Sequence, residues 1–342
     1  MSRSSISAIL STVLLFASVQ GAAVQRDAQK HCAANSHWPG WQKIQYAFVF
    51  SGDSYSSTTF NVSGTQPTPT NPLGNPPYPG YTASNGPNWV DYLTVKYNRS
   101  NLLTYNLAYG GATIDSSLVA PYEPQVSSIA EQIENEFFPA YAGKPASAPW
   151  ASDNTIFAIF DGINDVGNSY YQGVPATTNL NQRIFAVYAG LVDQLYYIGA
   201  RNFAFLNVPP VDRSPLSLAN DAAYQQQEKL DIAAWNTLVT DLAQNLKKTF
   251  SDVNVFTVDA HSIFTKVLDN PASYPQTALY KNTTAYCAAY QNGTPTTNYT
   301  DPSCYIPVNQ YFWLNSLHPT YPMHDVLAQG VAQVLNAGPN VC

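Results

Sequence analysis

Five short apolar runs punctuate this sequence, and between them apolar residues recur at helical spacing. That alternation constrains the fold more than any other feature. Tyr46-Ala-Phe-Val-Phe-Ser51 is the first run and stops at Gly52; Leu102–Leu107, Thr155–Phe160, Asn202–Val208 and Val253–Val258 follow. Thr155–Phe160 is apolar on both of its alternating sides, which suits a strand covered on both faces. Between the runs, Val126, Ile129, Ala130, Ile133 and Phe137 keep helical spacing, as do Ile184, Tyr188, Leu191 and Leu195. The stretch from Leu218 to Phe250 reads as one long helix or two, and His324 to Leu335 as a closing helix. Parallel neighbours require crossovers, so the alternation predicts one α/β domain, a five-stranded parallel sheet with helices on both faces. Two irregular insertions, near residues 60–88 and 271–312, interrupt the plan, and long loops of this kind are usually functional.

The surface this chain presents is polar but short of charge. Of 342 residues only 11% are charged, against roughly 25% in an average soluble chain, and the balance of 15 basic to 22 acidic side chains leaves a net −7. With no basic run, nucleic acid is excluded as a partner. Arg3 followed by the apolar stretch Ile9–Val19 and the small or neutral Val19-Gln20-Gly21 predicts a signal peptide over residues 1–21 and a mature chain of 22–342. The apolar stretch is shorter than the roughly 20 residues of a spanning helix, so no membrane association is expected. Glycosylation sequons stand at Asn61, Asn98, Asn282, Asn292 and Asn298. Four cysteines allow two disulfides in three connectivities; Cys287–Cys304 as a local clasp and Cys32–Cys342 tying the termini is the favoured one. No Cys or His cluster has metal-ligand spacing, and no cofactor is called for. The expectation is a secreted, extracellular, monomeric glycoprotein.

In an open parallel sheet, ligands bind beyond the carboxyl ends of the strands. Gly52-Asp53-Ser54 follows the first strand, Asn106-Leu-Ala-Tyr-Gly110-Gly111 the second, and Gly162-Ile163-Asn164-Asp165 the third. The fifth leads through the long insertion to Asn315-Ser-Leu-His318-Pro319-Thr320. A hydroxyl nucleophile, a base and oxyanion donors thus converge on one rim, the set that acyl transfer needs. Of the five histidines, His31 and His37 precede the sheet and His324 opens a helix, which leaves His261, after the fifth strand, as the rival of His318. Asp53 and Asp165 read as structural acids.

These blocks resemble, in order and strand context, those of the SGNH or GDSL-type hydrolases: Gly-Asp-Ser, a glycine, Gly-x-Asn-Asp and Asp-x-x-His. The ending Tyr311-Phe-Trp-Leu-Asn-Ser-Leu-His-Pro-Thr320 is similar to that of fungal secreted acetylesterases of carbohydrate esterase family 16. The likeness runs from about Trp38 to Leu335. It implies a flavodoxin-like three-layer α/β/α sandwich, Ser54 as nucleophile, and His318 as base. It also implies an oxyanion hole from the N–H groups of Ser54 and Gly111 with the Asn164 amide, Gly110 being the rival for the glycine. The implied substrates are acetyl esters, on plant cell-wall oligosaccharides or other small alcohols. A lipase or phospholipase of the same class, and a carbohydrate-binding protein derived from such an esterase, are the competing readings.

One position departs from the family pattern: Asn315 stands where an aspartate is expected three residues before the histidine. An amide has an acceptor oxygen but no charge, and it can also present its NH₂. Three outcomes follow: Asn315 orients His318 through its oxygen, a backbone carbonyl does so and leaves a Ser54–His318 dyad, or the chain binds without turnover.

Overall fold

The structure, a computed structural model, describes residues 32–342, so the expected signal peptide lies outside the described residues. Five strands form one all-parallel sheet: β1 (Tyr46–Ser51), β2 (Leu103–Asn106), β3 (Thr155–Phe160), β4 (Asn202–Leu206) and β5 (Asn254–Val258), in the order β2-β1-β3-β4-β5. Every residue of β1, β3 and β4 is buried, as apolar runs without polar alternation require. Tyr46 pairs with Leu103 on one side and with Thr155 on the other, so β1 lies at the centre of the strand reversal. This 2-1-3-4-5 order is flavodoxin-like, and its switch point between β1 and β3 is where such sheets bind ligands.

Right-handed crossovers place the connection from β1 to β2 on one face and the later, oppositely directed ones on the other. The helices group accordingly. Helix α1 (Trp89–Val95) and the closing helix α8 (Tyr321–Ala337) pack together with α7 (Ala260–Asp269), while α4 (Val174–Tyr197) pairs with α6 (Ala222–Thr249). The short α3 (Ile163–Gly167) and α5 (Pro215–Leu218) complete the set with α2, which starts at Ile129–Glu131 and continues as π-helical turns over Gln132–Ala142. A Ser128–Glu131 capping box starts α2 after Val126, later than the periodicity alone predicts. Pro139 sits inside the π turns, where its missing N–H spoils regular α-helical bonding. Phe137 of α2 packs edge-on against Phe48, Phe50 and Phe157 of the sheet, with ring centroids 4.9, 5.4 and 5.8 Å away.

The stretch from Leu218 to Phe250, read as one long helix or two, is the one helix α6, and the short α5 ends at Leu218 before it. His324 does not open the closing helix but sits buried in its first turn, three residues after Tyr321. Both favoured disulfides are present, with Cα separations of 5.4 Å for Cys32–Cys342 and 6.0 Å for Cys287–Cys304. The 271–312 insertion carries four short 3₁₀ turns and a small core in which Tyr290, Val308 and Tyr311 gather around Cys304, joined by Leu314 just after it. Among the described residues no helix is long and apolar enough to cross a membrane, and no metal-binding cluster of His, Cys, Asp and Glu occurs.

Candidate active site

The nucleophile loop begins where β1 ends, and its position is fixed from beneath. The buried Gln132 of α2 exchanges two hydrogen bonds of 3.1 Å with the backbone of Ser51, and Gly52 N–H donates to Phe160 O of β3. A side chain at Gly52 would collide with Asp161, whose carboxylate oxygen lies 1.4 Å from where a Cβ would stand. Ser54 follows, half-buried at the mouth of a cavity of about 630 Å³. Tyr55 then anchors the loop: its hydroxyl donates to Leu317 O at 2.6 Å and its ring stacks on Phe264.

His318 reaches the same point from a narrow reverse loop. Leu314 N–H donates to His318 O and Thr320 N–H to Phe312 O, closing residues 312–320 into a tight excursion before α8. Across it, Ser54 Oγ lies 2.5 Å from His318 Nε2, and His318 Nδ1 lies 2.9 Å from Asn315 Oδ1. The structure therefore brings all three residues into one chain of hydrogen bonds. The rival His261 sits in the first turn of α7, where its N–H donates to Asn207 Oδ1, away from Ser54.

The orientation of the Asn315 amide follows from its other partners. Its Oδ1 also accepts from Leu317 N–H at 3.0 Å and His318 N–H at 2.9 Å, and its NH₂ donates to Gln291 O at 3.3 Å. Turning the amide over would set NH₂ against two N–H donors and an oxygen against a carbonyl. Oδ1 is thus held toward Nδ1, so Nδ1 carries the proton and Nε2 presents its lone pair to Ser54. No charge accompanies this arrangement. Burial lowers the His318 pKa to about 4, and that of the neighbouring His324 to about 3.

The groups expected to form the oxyanion hole lie around Ser54. The N–H groups of Ser54, Gly110 and Gly111 have no protein acceptor among the described residues. Gly110 lines the cavity with Ser54, and Gly111 follows at φ +88° with the Tyr122 ring where a Cβ would project. Asn164, in the first turn of α3, turns its NH₂ toward Gly52 O and toward Ala112 O, the latter at 2.9 Å. Its amide hydrogens thus point into the gap between the loops after β1 and β2.

Behind these loops lie three buried acids. Burial raises Asp53 and Asp165 to about 7 and Asp161 further, the negative charge of Asp165 adding to the rise at Asp161. Asp165 also accepts from Ile114 N–H, which ties the third loop to the second.

Two arms of cleft meet at Ser54 and His318, sharing the wall Tyr81–Ala83. One is the 630 Å³ cavity beside Ser54, bounded by Phe60, Val62, Leu107, Ala108 and, as its one ionisable carboxylate, Glu136. The other, about 660 Å³, is bounded by His318 and by Asn85, Gln291, Asn292 and Thr294, with no Asp, Glu, Lys or Arg. Asn85 and Thr294 clasp reciprocally across it, each bond 2.8 Å long. Two sequon asparagines thus line the cleft, Asn61 in the first arm and Asn292 in the second. Asn98 instead uses its amide nitrogen to bond Thr94 O; Asn282 and Asn298 lie in the 271–312 insertion. Tyr55, Gln132 and Gln291 carry no sequence signal, since each bonds a partner distant in the chain.

The fold and the comparisons with known proteins define a carboxylic ester hydrolase. The family profile of GDSL-like Lipase/Acylhydrolase matches residues 48–330, and the chain belongs to that family of carboxylic ester hydrolases. An acetylesterase of Thermothelomyces thermophilus is 38% identical over 295 residues, covering 84% of this chain and 87% of that protein. A GDSL esterase/lipase of Arabidopsis thaliana is 22% identical over 265 residues, covering 71% and 72%. Among solved structures, an acetylxylan esterase of Geobacillus stearothermophilus covers 86% of this chain and 96% of its own, with 13% identity and a TM-score of 0.45.

Proposed function

We propose that the protein is a secreted, monomeric serine esterase that removes acetyl and other short acyl groups from neutral polyhydroxylated alcohols, plant cell-wall oligosaccharides among them. The observation that carries this reading is the continuous chain Ser54 Oγ, His318 Nε2, His318 Nδ1, Asn315 Oδ1. His318 takes the Ser54 proton as Oγ attacks the ester carbonyl carbon, and the charge that develops on oxygen is met by the N–H groups of Ser54 and Gly111. The Asn164 amide joins them by exchanging one carbonyl partner for the oxyanion. The alcohol then leaves with the proton from His318, and a water, activated by the same imidazole, releases the acyl group from Ser54.

The leaving oxygen must come within hydrogen-bond reach of Nε2, so the alcohol lies in the arm that His318 borders and the acyl group in the arm beside Ser54. Amide and hydroxyl walls without charge suit a neutral sugar, and the kinship with a fungal acetylesterase supports acetyl as the acyl group. The volume of the acyl arm favours a second reading, a lipase for longer chains. Initial rates on 4-nitrophenyl esters of C2 to C16 acids and on acetylated xylo-oligosaccharides test both, with Ser54→Ala as control. Acetate turnover that disappears in the variant is expected. A maximum at long chains sinks the short-chain reading, and absence of turnover on any ester sinks catalysis altogether. Secretion is tested by the N-terminus of the protein recovered from culture medium, expected near Ala22.

A further inference from the structure

The acyl arm poses a problem for an enzyme of acetyl esters. A volume of about 630 Å³ is in the range that holds drug-sized ligands and far exceeds what an acetyl group fills. Its walls include Phe60, Val62, Leu107 and Ala108, which would welcome hydrocarbon. Each additional buried methylene tightens binding about fourfold, so the arm without further features would select long acyl chains.

The feature that opposes this is Glu136. It belongs to the π-helical part of α2, one turn beyond Gln132, whose hydrogen bonds to Ser51 hold that turn against the base of the nucleophile loop. The Glu136 side chain is half-buried, and one carboxylate oxygen accepts from Ser127 Oγ at 2.8 Å. No ion pair among the described residues involves it. An acid without a cation depends on water for the rest of its solvation, and hydrocarbon pushed along the arm would strip that water away. The cost is felt only by chains long enough to displace it, and an acetyl group leaves the hydration intact.

We infer that Glu136 is the specificity-determining residue of the acyl arm: its half-buried carboxylate, lining the same cavity as Ser54, restricts the enzyme to short acyl groups. The inference rests on the short-chain reading above and names the group responsible for it. Glu136 touches no reacting atom, so its effect belongs in the dependence on chain length.

The test is the ratio of kcat/KM for 4-nitrophenyl octanoate to that for 4-nitrophenyl acetate, in wild type, Glu136→Leu and Glu136→Gln. A ratio corrects for any general loss of activity. Glu136→Leu is expected to raise it at least tenfold, chiefly through a lower KM for octanoate, and Glu136→Gln to raise it less because the amide remains polar. If Glu136→Leu fails to fold, Glu136→Gln decides alone, a rise supporting the inference and a constant ratio overturning it. A constant ratio in a folded Glu136→Leu also overturns it. A wild type that already prefers octanoate marks failure of the short-chain reading itself; a wild type that prefers acetate, with variants that keep the preference, marks failure of the Glu136 inference alone.

Discussion

Asn315 concentrates the chemistry at the residue scale. In serine proteases, exchanging the triad aspartate for asparagine costs about 10⁴ in turnover, largely because the amide holds the wrong tautomer. Here the two N–H groups of Leu317 and His318 and the carbonyl of Gln291 bar that orientation. What the amide cannot supply is charge, and the consequence belongs in the pH profile. The base must be neutral, and burial lowers the His318 pKa to about 4, so kcat/KM is expected to rise through that pH and then level. Asn315→Asp puts an anion against Nδ1, favours the imidazolium and moves the acid limb up by one unit or more. Its new carboxylate also faces Gln291 O, so the variant should melt at lower temperature. Asn315→Ala, which frees the ring, should lower kcat by about 10²-fold or more, within the range of an orienting or proton-transfer contribution. An unchanged rate in Asn315→Ala would show that a Ser54–His318 dyad suffices.

The strand ends show, at the scale of elements, why most of the site was legible in the sequence. Ser54, Gly111 and Asn164 each follow an apolar run, and the ends of such runs are the one place in a parallel sheet where reactive groups gather. His318 was legible by elimination among five histidines together with the family resemblance. The remaining contacts join segments with no local signature: Gln132 to Ser51, 81 residues apart, and Tyr55 to Leu317, 262 apart. The facing of the Asn315 amide depends on Gln291, which the insertion delivers. That insertion is more than a loop, since its Thr294 bonds Asn85 across the second arm of the cleft and its Gln291 O accepts from the Asn315 amide. Its Cys287–Cys304 bridge spans 17 residues, a length for which the loss of a disulfide costs about 3 kcal/mol. Replacing both cysteines by serine should therefore lower Tm. It should also raise KM for acetylated oligosaccharides more than for 4-nitrophenyl acetate, whose small alcohol needs little of the arm. Equal losses on both substrates would mean that the bridge stabilises the molecule without shaping the cleft.

For the whole molecule, the shortage of surface charge has a counterpart inside, where several acids are buried without a cation. Burial holds Asp53, Asp91 and Asp165 near 7 and Asp161 higher, whereas in the unfolded chain all four titrate near 3.9. Between these values the native state binds more protons than the unfolded one, so these groups make stability fall as pH rises from about 4 through about 7. The buried imidazoles act oppositely. His318 and His324 stay neutral in the fold down to about 4 and 3, so they withdraw stability as pH falls below the ordinary histidine value of about 6.5. Four carboxyls outweigh two imidazoles across the shared window, and Glu228 and Asp231, raised by burial as well, add to the majority. Asp252 and Asp259, lowered by hydrogen bonds, subtract from it. Tm should accordingly be higher near pH 4.5 than at pH 8, in the same acid range where His318 is still a competent base. Asp161→Asn offers the direct check, because an amide resembles a protonated carboxyl but does not titrate. Calorimetry should find its Tm raised at pH 8 and little changed at pH 4.5, flattening the profile. A variant as pH-sensitive as the wild type would place the origin of acid stability outside the carboxyl cluster beneath Ser54.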